Sequence, residues 1–171
     1  MALAEAALQT VDEVLFVLPR ALPHKEYTGV GFDDRMQLLL NAAAFDRRYS
    51  VGSSEGGLFI EIARECREAY GRDARIVLLC GRDAAERIVG WDYGDAGPFT
   101  KMLDDFELLV AARNGEYTAP EDLRHRVHPV ELAPDCDMIS ATEVRERIVR
   151  GVEWRHLVPA SIAARVAELY G

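Results

Sequence analysis

The sequence lacks the two features that would send a protein into or across a membrane. No hydrophobic run reaches the roughly 20 residues that a helix needs to span a bilayer, because charged residues interrupt every candidate. Residues 1–8 have neither the basic start nor the long apolar stretch of a signal peptide. These absences predict a cytoplasmic protein that makes no use of a membrane.

Positive charge is also in short supply. The chain carries 20 Lys and Arg against 29 Asp and Glu, a formal net charge of −9. This balance argues against a protein that wraps nucleic acid, because neutralising phosphates requires a surplus of cations. A small phosphorylated ligand needs only a few local cations, whatever the net charge. We therefore expect small nucleotides as partners and no nucleic acid.

Cysteine and histidine are too few and too scattered to form a disulfide framework or a metal site. The three cysteines, Cys66, Cys80 and Cys136, form no C-x-x-C pair, so neither a disulfide framework nor a zinc site is indicated. His125 and His128 form an H-x-x-H pair with no third ligand nearby. We predict no metal site built from protein ligands.

What the sequence does contain is typical of one globular domain spanning residues 1–171. Its composition is 49% hydrophobic and 29% charged, and 171 residues can bury a hydrophobic core without the help of disulfides or bound metals. Apolar runs alternate with segments of helical periodicity. The predicted strands are 14–18, 49–51, 76–80, 108–111 and 127–132, and the predicted helices are 2–9, 35–45, 57–70, a short one through 88, 99–104, 120–125, 140–149 and 161–170.

This alternation predicts an α/β fold with a doubly wound parallel sheet covered by helices on both faces. The run at 14–18, ended by Pro19, is typical of a strand buried on both faces. Asp33 or Asp34 is expected to cap the helix that follows. In such folds the ligand lies beyond the carboxyl ends of the strands, so the loops there are the places to search.

Two of these loops carry polar residues that a packed core does not need. The loop after Pro19 contains Arg20, His24 and Lys25, which suit either a phosphate contact or a solvated loop.

The strand at 76–80 runs into Gly81-Arg82-Asp83, with Trp91 eight residues past the aspartate. Glycine permits close approach of a ligand to the backbone. The alternatives are a helix cap at Asp83 and a core position for Trp91.

A third candidate lies where the helix at 140–149 begins. Ser140 is a good N-cap, and Glu143 three residues on completes a capping-box pattern. The N-terminus of a helix offers free N–H groups and a positive dipole end to an anion. Thr142 and Arg145 lie near that end. A plain capping box without a ligand is the alternative interpretation.

Taken together, the order and spacing of these segments resemble the nucleotidyltransferase superfamily, and within it the bacterial nicotinate or nicotinamide mononucleotide adenylyltransferases. The resemblance covers essentially the whole chain, and its most specific element is an I-S-x-T-x-x-R match. The matching segments are Pro23-His24-Lys25, Asp34-Arg35-Met36, Gly81-Arg82-Asp83 with Trp91, residues 106–117, Ile139-Ser140-Ala141-Thr142-Glu143-Val144-Arg145, and Leu157-Val158-Pro159.

The resemblance implies a Rossmann-like fold and transfer of an adenylyl group from ATP to a phosphorylated acceptor, with release of pyrophosphate, in NAD biosynthesis. It implies Mg²⁺ held largely by phosphates and water. Lys25 and Arg145 would serve as catalytic cations. The implied sites beside them are Ser140, Thr142 and Arg145 for the triphosphate, Gly81 and Asp83 for the nucleotide, and Trp91 and Arg113 for the substrate.

The chain departs from the family pattern at its beginning. The family's opening strand ends in G-x-F-x-P-x-H-x-G-H, whose histidines hold ATP phosphates, and that motif is absent. We expect that the polypeptide begins upstream of Met1, that it is truncated, or that it is a degenerate relative. The opening strand is central in the family topology, so its absence predicts a gap in the middle of the sheet. Each missing histidine would lower turnover by roughly 10²–10³.

A second departure concerns the acceptor. The family's S-Y-T-x-x-T stretch is replaced by Ser53-Ser54-Glu55-Gly56-Gly57-Leu58, a Gly-rich loop that suits either a ligand contact or a simple helix entry. A cytidylyltransferase, a phosphopantetheine-type transferase and a non-catalytic nucleotide-binding protein therefore stay open as alternatives. A homo-oligomer is compatible with the sequence.

Overall fold

The computed structural model describes residues 1–21, 29–89, 99–111, 117–132, 136 and 139–171. Helices and strands alternate along most of this length. In chain order the elements are α1 (Ala2–Ala7), β1 (Val14–Pro19), α2 (Phe32–Ala43), β2 (Tyr49–Ser54), α3 (Phe59–Tyr70), β3 (Val77–Gly81), α4 (Arg82–Val89), α5 (Phe99–Met102), β4 (Glu107–Ala111), a 3₁₀ turn (Glu121–Leu123), β5 (Val127–Val130), α6 (Ala141–Arg150), a second 3₁₀ turn (Arg155–Leu157) and α7 (Ala160–Tyr170).

The strands form two parallel sheets. β1 pairs with β2, from Val14 opposite Tyr49 to Pro19 opposite Ser54. β3, β4 and β5 form the other sheet in that order. Parallel strands joined by helices are the arrangement expected from the sequence, and the α/β, Rossmann-like fold class is confirmed.

One apolar cluster connects the two sheets. Ala4 and Ala7 of α1 are buried in it, together with Val14 of β1 and Leu109 of β4, and Val77 packs against them. α1 therefore covers the same face of both sheets. The amino ends of β1 and β3 also lie together, since the Arg75 guanidinium donates to the Thr10 carbonyl at 3.1 Å.

The deepest packing lies on the other face of the three-stranded sheet. Leu108 and Val110 of β4 and Val127 of β5 are almost fully buried there, with Phe106 and Leu103 beside them. A smaller cluster near the carboxyl terminus holds α6 and α7 together. Its buried members are Val144, Trp154 and Val166.

The prediction that residues 14–18 form a strand buried on both faces is wrong in its burial. β1 is present, but of its residues only Val14 is fully buried. Leu15 and Val17 line a cavity of about 320 Å³ instead of packing against a neighbouring strand. The apolar run therefore predicted the strand correctly but not its surroundings.

Two smaller expectations about helices also need correction. α2 begins at Phe32, two residues earlier than a cap at Asp33 would place its start: Gly31 is its N-cap, and Asp33 and Asp34 lie in the first turn. Asp34 instead accepts a hydrogen bond from Arg165 of α7 at 2.5 Å. The predicted helix at 120–125 is only the short 3₁₀ turn. None of the helices described here is long and apolar enough to cross a bilayer.

Candidate functional site

The N-terminus of α6 is held in place by its cap and by its buried face. Ser140 has an extended backbone, and its Oγ accepts from the Glu143 N–H at 3.1 Å. Val144 is buried and fixes the first turn against the carboxyl-terminal cluster. Within the described chain no hydrogen bond satisfies the N–H groups of Ala141 and Thr142. Two donors at the positive end of a helix are thus available to an anion.

The capping box expected at this helix is only half formed. The Ser140 side chain caps the helix as expected, but the Glu143 carboxylate does not return to the Ser140 N–H. Glu143 instead accepts from the Arg147 Nε at 2.5 Å, one turn further along. An acidic residue four positions before a basic one forms a favourable helical pair. Among the described residues the Ser140 N–H has no hydrogen-bond partner, whereas its carbonyl accepts from the Val144 N–H at 3.1 Å.

Thr142 and Arg145 come together on the exposed side of the same turn. The Arg145 Nη2 donates to the Thr142 Oγ1 at 3.3 Å, and both side chains are exposed. The helix therefore presents backbone donors, a hydroxyl and a guanidinium within one turn. A phosphate group has the charge and the acceptor oxygens for such a set.

The end of β3 is open where the sequence predicted close approach of a ligand. A Cβ added to Gly81 would meet no atom of the described residues within 4 Å. Asp83 is not a helix cap, because α4 already begins at Arg82; the Asp83 side chain is exposed, and its carbonyl accepts from the Arg87 Nε at 3.1 Å. In the part of the chain described, the half-buried Arg82 guanidinium makes no hydrogen bond or ion pair.

Arg20 occupies the corresponding place after β1. Its N–H donates to the Ser54 carbonyl at 2.9 Å, its Nε lies 3.1 Å from Glu55, and its guanidinium carbon lies 4.3 Å from the centre of the Phe32 ring. Sequence reasoning gave Arg20 only as one member of a loop and assigned no role to Arg82. Both arginines could have been found from their position, since Arg20 directly follows β1 and Arg82 directly follows β3.

The Gly-rich loop at 53–58 is explained by the helix that follows it. The Glu61 carboxylate accepts from the N–H groups of Gly57 and Leu58 at 3.0 and 2.9 Å. A Cβ at Gly56 would collide with the Glu61 side chain. Gly56 therefore makes room for this contact, which favours the helix-entry interpretation of the loop.

A charge cluster lies at the amino edge of the three-stranded sheet, away from these loops. Glu107 accepts from Arg75 at 2.7 Å and lies 3.4 Å from Arg126 and 3.6 Å from His128. Hydrogen bonding to Arg75, helped by the charges of His128 and Arg126, lowers the pKa of the Glu107 carboxyl. His128 of the H-x-x-H pair thus faces a carboxylate, and no group of three potential metal ligands converges among the described residues.

Several predicted site residues cannot be compared with this geometry. Lys25, Trp91 and Arg113 lie outside the described residues. Of the remaining candidates, the structure brings Ser140, Thr142 and Arg145 into one helical turn. Gly81 and Asp83 lie at the end of β3, which is separated from β5 by β4.

Comparison with known proteins gives the same family as the motifs. No family model matches the chain. The chain is similar to a probable nicotinate-nucleotide adenylyltransferase of Moorella thermoacetica, with 27% identity over 92% of this chain and 75% of the relative. Proteins of the same name from Thermus thermophilus and Treponema pallidum are 28% and 29% identical, over 89% and 88% of this chain and 78% and 79% of theirs. The chain is therefore similar over most of its length to proteins named as probable nicotinate-nucleotide adenylyltransferases, and the resemblance to the nucleotidyltransferase superfamily is confirmed.

Proposed function

We propose that the chain is a nucleotidyltransferase that transfers an adenylyl group from ATP to nicotinate or nicotinamide mononucleotide in NAD biosynthesis. The relatives that carry this name match it over about nine-tenths of its length. The observation that carries the proposal is the first turn of α6. Its capped N-terminus, the Thr142 hydroxyl and the Arg145 guanidinium form one anion-binding surface.

In this reaction a phosphate oxygen of the mononucleotide attacks the α-phosphorus of ATP. A new P–O bond forms there, and the bond to the β-phosphate oxygen breaks, so the electron pair leaves with pyrophosphate. No protein nucleophile is required. The protein contributes by orienting two phosphorylated molecules and stabilising the charge on their oxygens.

The role proposed for α6 is to hold the triphosphate. The N–H groups of Ala141 and Thr142 and the Thr142 hydroxyl donate to phosphate oxygens, and Arg145 supplies the positive charge. Gly81 and Asp83 are proposed to contact the nucleotide, because no atom of the described residues would lie within 4 Å of a Cβ built at Gly81. Lys25, Trp91 and Arg113 stay as sequence-based candidates for phosphate and substrate contacts.

Mg²⁺ fits this site if it binds together with the nucleotide, through the phosphates. The described residues offer no three-ligand cluster, whereas Mg²⁺ commonly binds substrate phosphates and water with few protein ligands. When bound there it would neutralise charge on the phosphates. We propose no dedicated protein site for it.

The test combines binding and turnover. Isothermal titration with Mg-ATP should show Arg145→Ala weakening binding about tenfold or more, because a charge-assisted contact to phosphate is lost. Pyrophosphate release with nicotinate mononucleotide should fall by about 10²–10³ in a catalytically competent chain. The matched control is Arg150→Ala, an exposed arginine in the last turn of the same helix.

The experiment compares two chain lengths, because the histidines that hold ATP phosphates in the family are absent from residues 1–171. Turnover is measured on this chain and on one extended through the in-frame upstream codons. Adenylyl transfer to nicotinate mononucleotide by the extended chain, lost in Arg145→Ala, supports the proposal. Turnover with CTP but not ATP would contradict it, as would equal ATP affinity in Arg145→Ala and the parent chain.

A further inference from the structure

Glu143 lies where a carboxylate competes with a phosphate for the N-terminus of α6. It follows the N-cap Ser140 by three residues, the position from which a glutamate bonds back to the N-cap N–H in a capping box. The positive end of the helix dipole favours negative charge at this place, whether it comes from a carboxylate or from a phosphate. A glutamate that closed the capping box would therefore occupy part of the surface proposed for the triphosphate.

The structure shows the Glu143 carboxylate turned away from the helix N-terminus. It accepts from the Arg147 Nε at 2.5 Å, whereas the Glu143 N–H still donates to the Ser140 Oγ. The side chains of Arg147 and Glu143 are 31% and 35% exposed, so solvent screens this ion pair less than one that is fully exposed. The part of the capping box that is missing is the part that needs this carboxylate, and Arg147 is the group that holds it elsewhere.

Arg147 is itself fixed by the loop that follows α6. Its Nη1 donates to the Glu153 carbonyl at 3.1 Å, and its own carbonyl accepts from the Val152 N–H at 3.0 Å. The chain turns back at Gly151, whose φ of 66° lies in the left-handed region that favours glycine. The guanidinium is therefore bonded to the loop on one side and to Glu143 on the other.

This loop is anchored in the carboxyl-terminal cluster. Trp154 is buried there together with Val144 of α6. The Glu153 carboxylate accepts from the N–H groups of Trp154 and Arg155 at 3.1 and 2.8 Å. These contacts fix the backbone carbonyl that Arg147 meets. The position of the guanidinium is thus set by a packed part of the molecule before any ligand binds.

We propose that Arg147 is a positioning residue for the triphosphate. By pairing with Glu143 it keeps the Ser140 N–H free for a phosphate oxygen, beside the N–H groups of the first turn. Without the pair, the carboxylate would close the capping box, take up this donor and repel the phosphates at short range. Arg147 acts through Glu143 and need not touch the nucleotide. The inference rests on the proposed function, because it takes α6 as the triphosphate site.

The first step of this proposal can be tested without nucleotide, by amide hydrogen exchange at Ser140. Arg147→Met keeps the apolar stem of the side chain and removes its donors. The Ser140 amide should then exchange about fivefold or more slowly, because the Glu143 carboxylate accepts from it. Neither position adjoins Ser140 in sequence, so its intrinsic exchange rate does not change. Adding Glu143→Ala should return the rate to that of the parent chain.

Unchanged exchange of the Ser140 amide in Arg147→Met would overturn the proposal. If that variant does not fold, Arg147→Gln takes its place, with the same expectation. Glutamine can still donate to the Glu153 carbonyl, but it has no charge with which to hold the Glu143 carboxylate.

The second step is tested by isothermal titration with Mg-ATP. Arg147→Met should weaken binding about tenfold, because the carboxylate now lies beside the phosphates. Adding Glu143→Ala should restore the affinity to within about twofold of the parent chain, because the two residues act as one unit. The matched control adds Glu146→Ala instead, which removes an exposed carboxylate from the same helix and restores the same net charge. Equal recovery with Glu146→Ala would overturn the proposal, because it would show an effect of overall charge.

The positioning role and the proposed function are distinguished by two arginines of α6. Weaker Mg-ATP binding in Arg145→Ala together with unchanged binding in Arg147→Met would overturn the positioning role and leave the proposed function standing. Absence of Mg-ATP binding in both chain lengths, or equal affinity in Arg145→Ala and the parent chain, would contradict the proposed function and the positioning role with it.

Discussion

β1 and β4 are strands of similar apolar character in very different surroundings. β4 has neighbours on both edges and helices on its faces, and four of its five residues are buried. Within the described residues β1 has a neighbouring strand on one edge only, and one of its six residues is buried. An apolar run predicts that a strand forms, but the burial of that strand depends on what lies beside it.

The difference divides the molecule into a well-packed half and an open half. The three-stranded sheet holds the fully buried side chains Leu108, Val110 and Val127. The two-stranded sheet contributes half-buried residues to the wall of a cavity. Stability should therefore be concentrated in the three-stranded half, while the edge of β1 opens easily.

The largest expected effect comes from truncating matched leucines in the two halves. Leu108→Ala removes a fully buried side chain and should lower the free energy of unfolding by about 2–5 kcal/mol. Leu15→Ala enlarges an existing cavity and should lower it by about half that amount or less. Urea denaturation of both variants measures the difference, and equal losses would break the comparison.

A smaller effect is expected from the carboxylates of the two halves. Glu107 has a lowered pKa, so the stability it contributes is present above its ordinary value of 4.5 and is lost as the pH falls. Glu107→Gln should cost about 1 kcal/mol at neutral pH and flatten the loss of stability below about pH 5.

Asp46 is the matched carboxylate on the side of the two-stranded sheet. It pairs with Arg48 two residues away, which lowers the pKa of Asp46 to about 2, but the pair is local and lies on an exposed turn. Asp46→Asn should therefore change neutral-pH stability less than Glu107→Gln does. Thermal unfolding at pH 7 and about pH 4 compares them, and a larger loss for Asp46→Asn would contradict this ranking.

Much of the fold follows from local sequence. The alternation of apolar runs and helical segments gave the strands and most helices, and Gly71 ends α3 as expected, with a φ of 91°. One feature that local reasoning missed depends on a partner distant in sequence, since Asp34 pairs with Arg165 instead of capping α2. The other is a choice between two partners within one helix, since Glu143 pairs with Arg147 four residues on instead of closing the capping box. That residues 1–171 form a single domain stays a prediction.

The candidate site was predictable where it lies within one segment. The grouping of Ser140, Thr142 and Arg145 follows from helical spacing, and the structure bears out this geometry. The places of Arg20 and Arg82 do not follow from a motif, because they depend on where β1 and β3 end in the folded sheets. The roles of all these residues stay predictions.

The central claim is that the edges of β1 and β3 that face each other are unpaired. Amide hydrogen exchange along these two strands in residues 1–171 tests it most directly. The amides of Leu15, Val17, Val77 and Leu79 should exchange faster than those of Phe16 and Leu78, which face a bonded neighbour, by about tenfold or more. The predicted result is protection from exchange that alternates between high and low from one residue to the next along each strand. Uniform protection along both strands would contradict the account, because it would mean that the two edges are already paired.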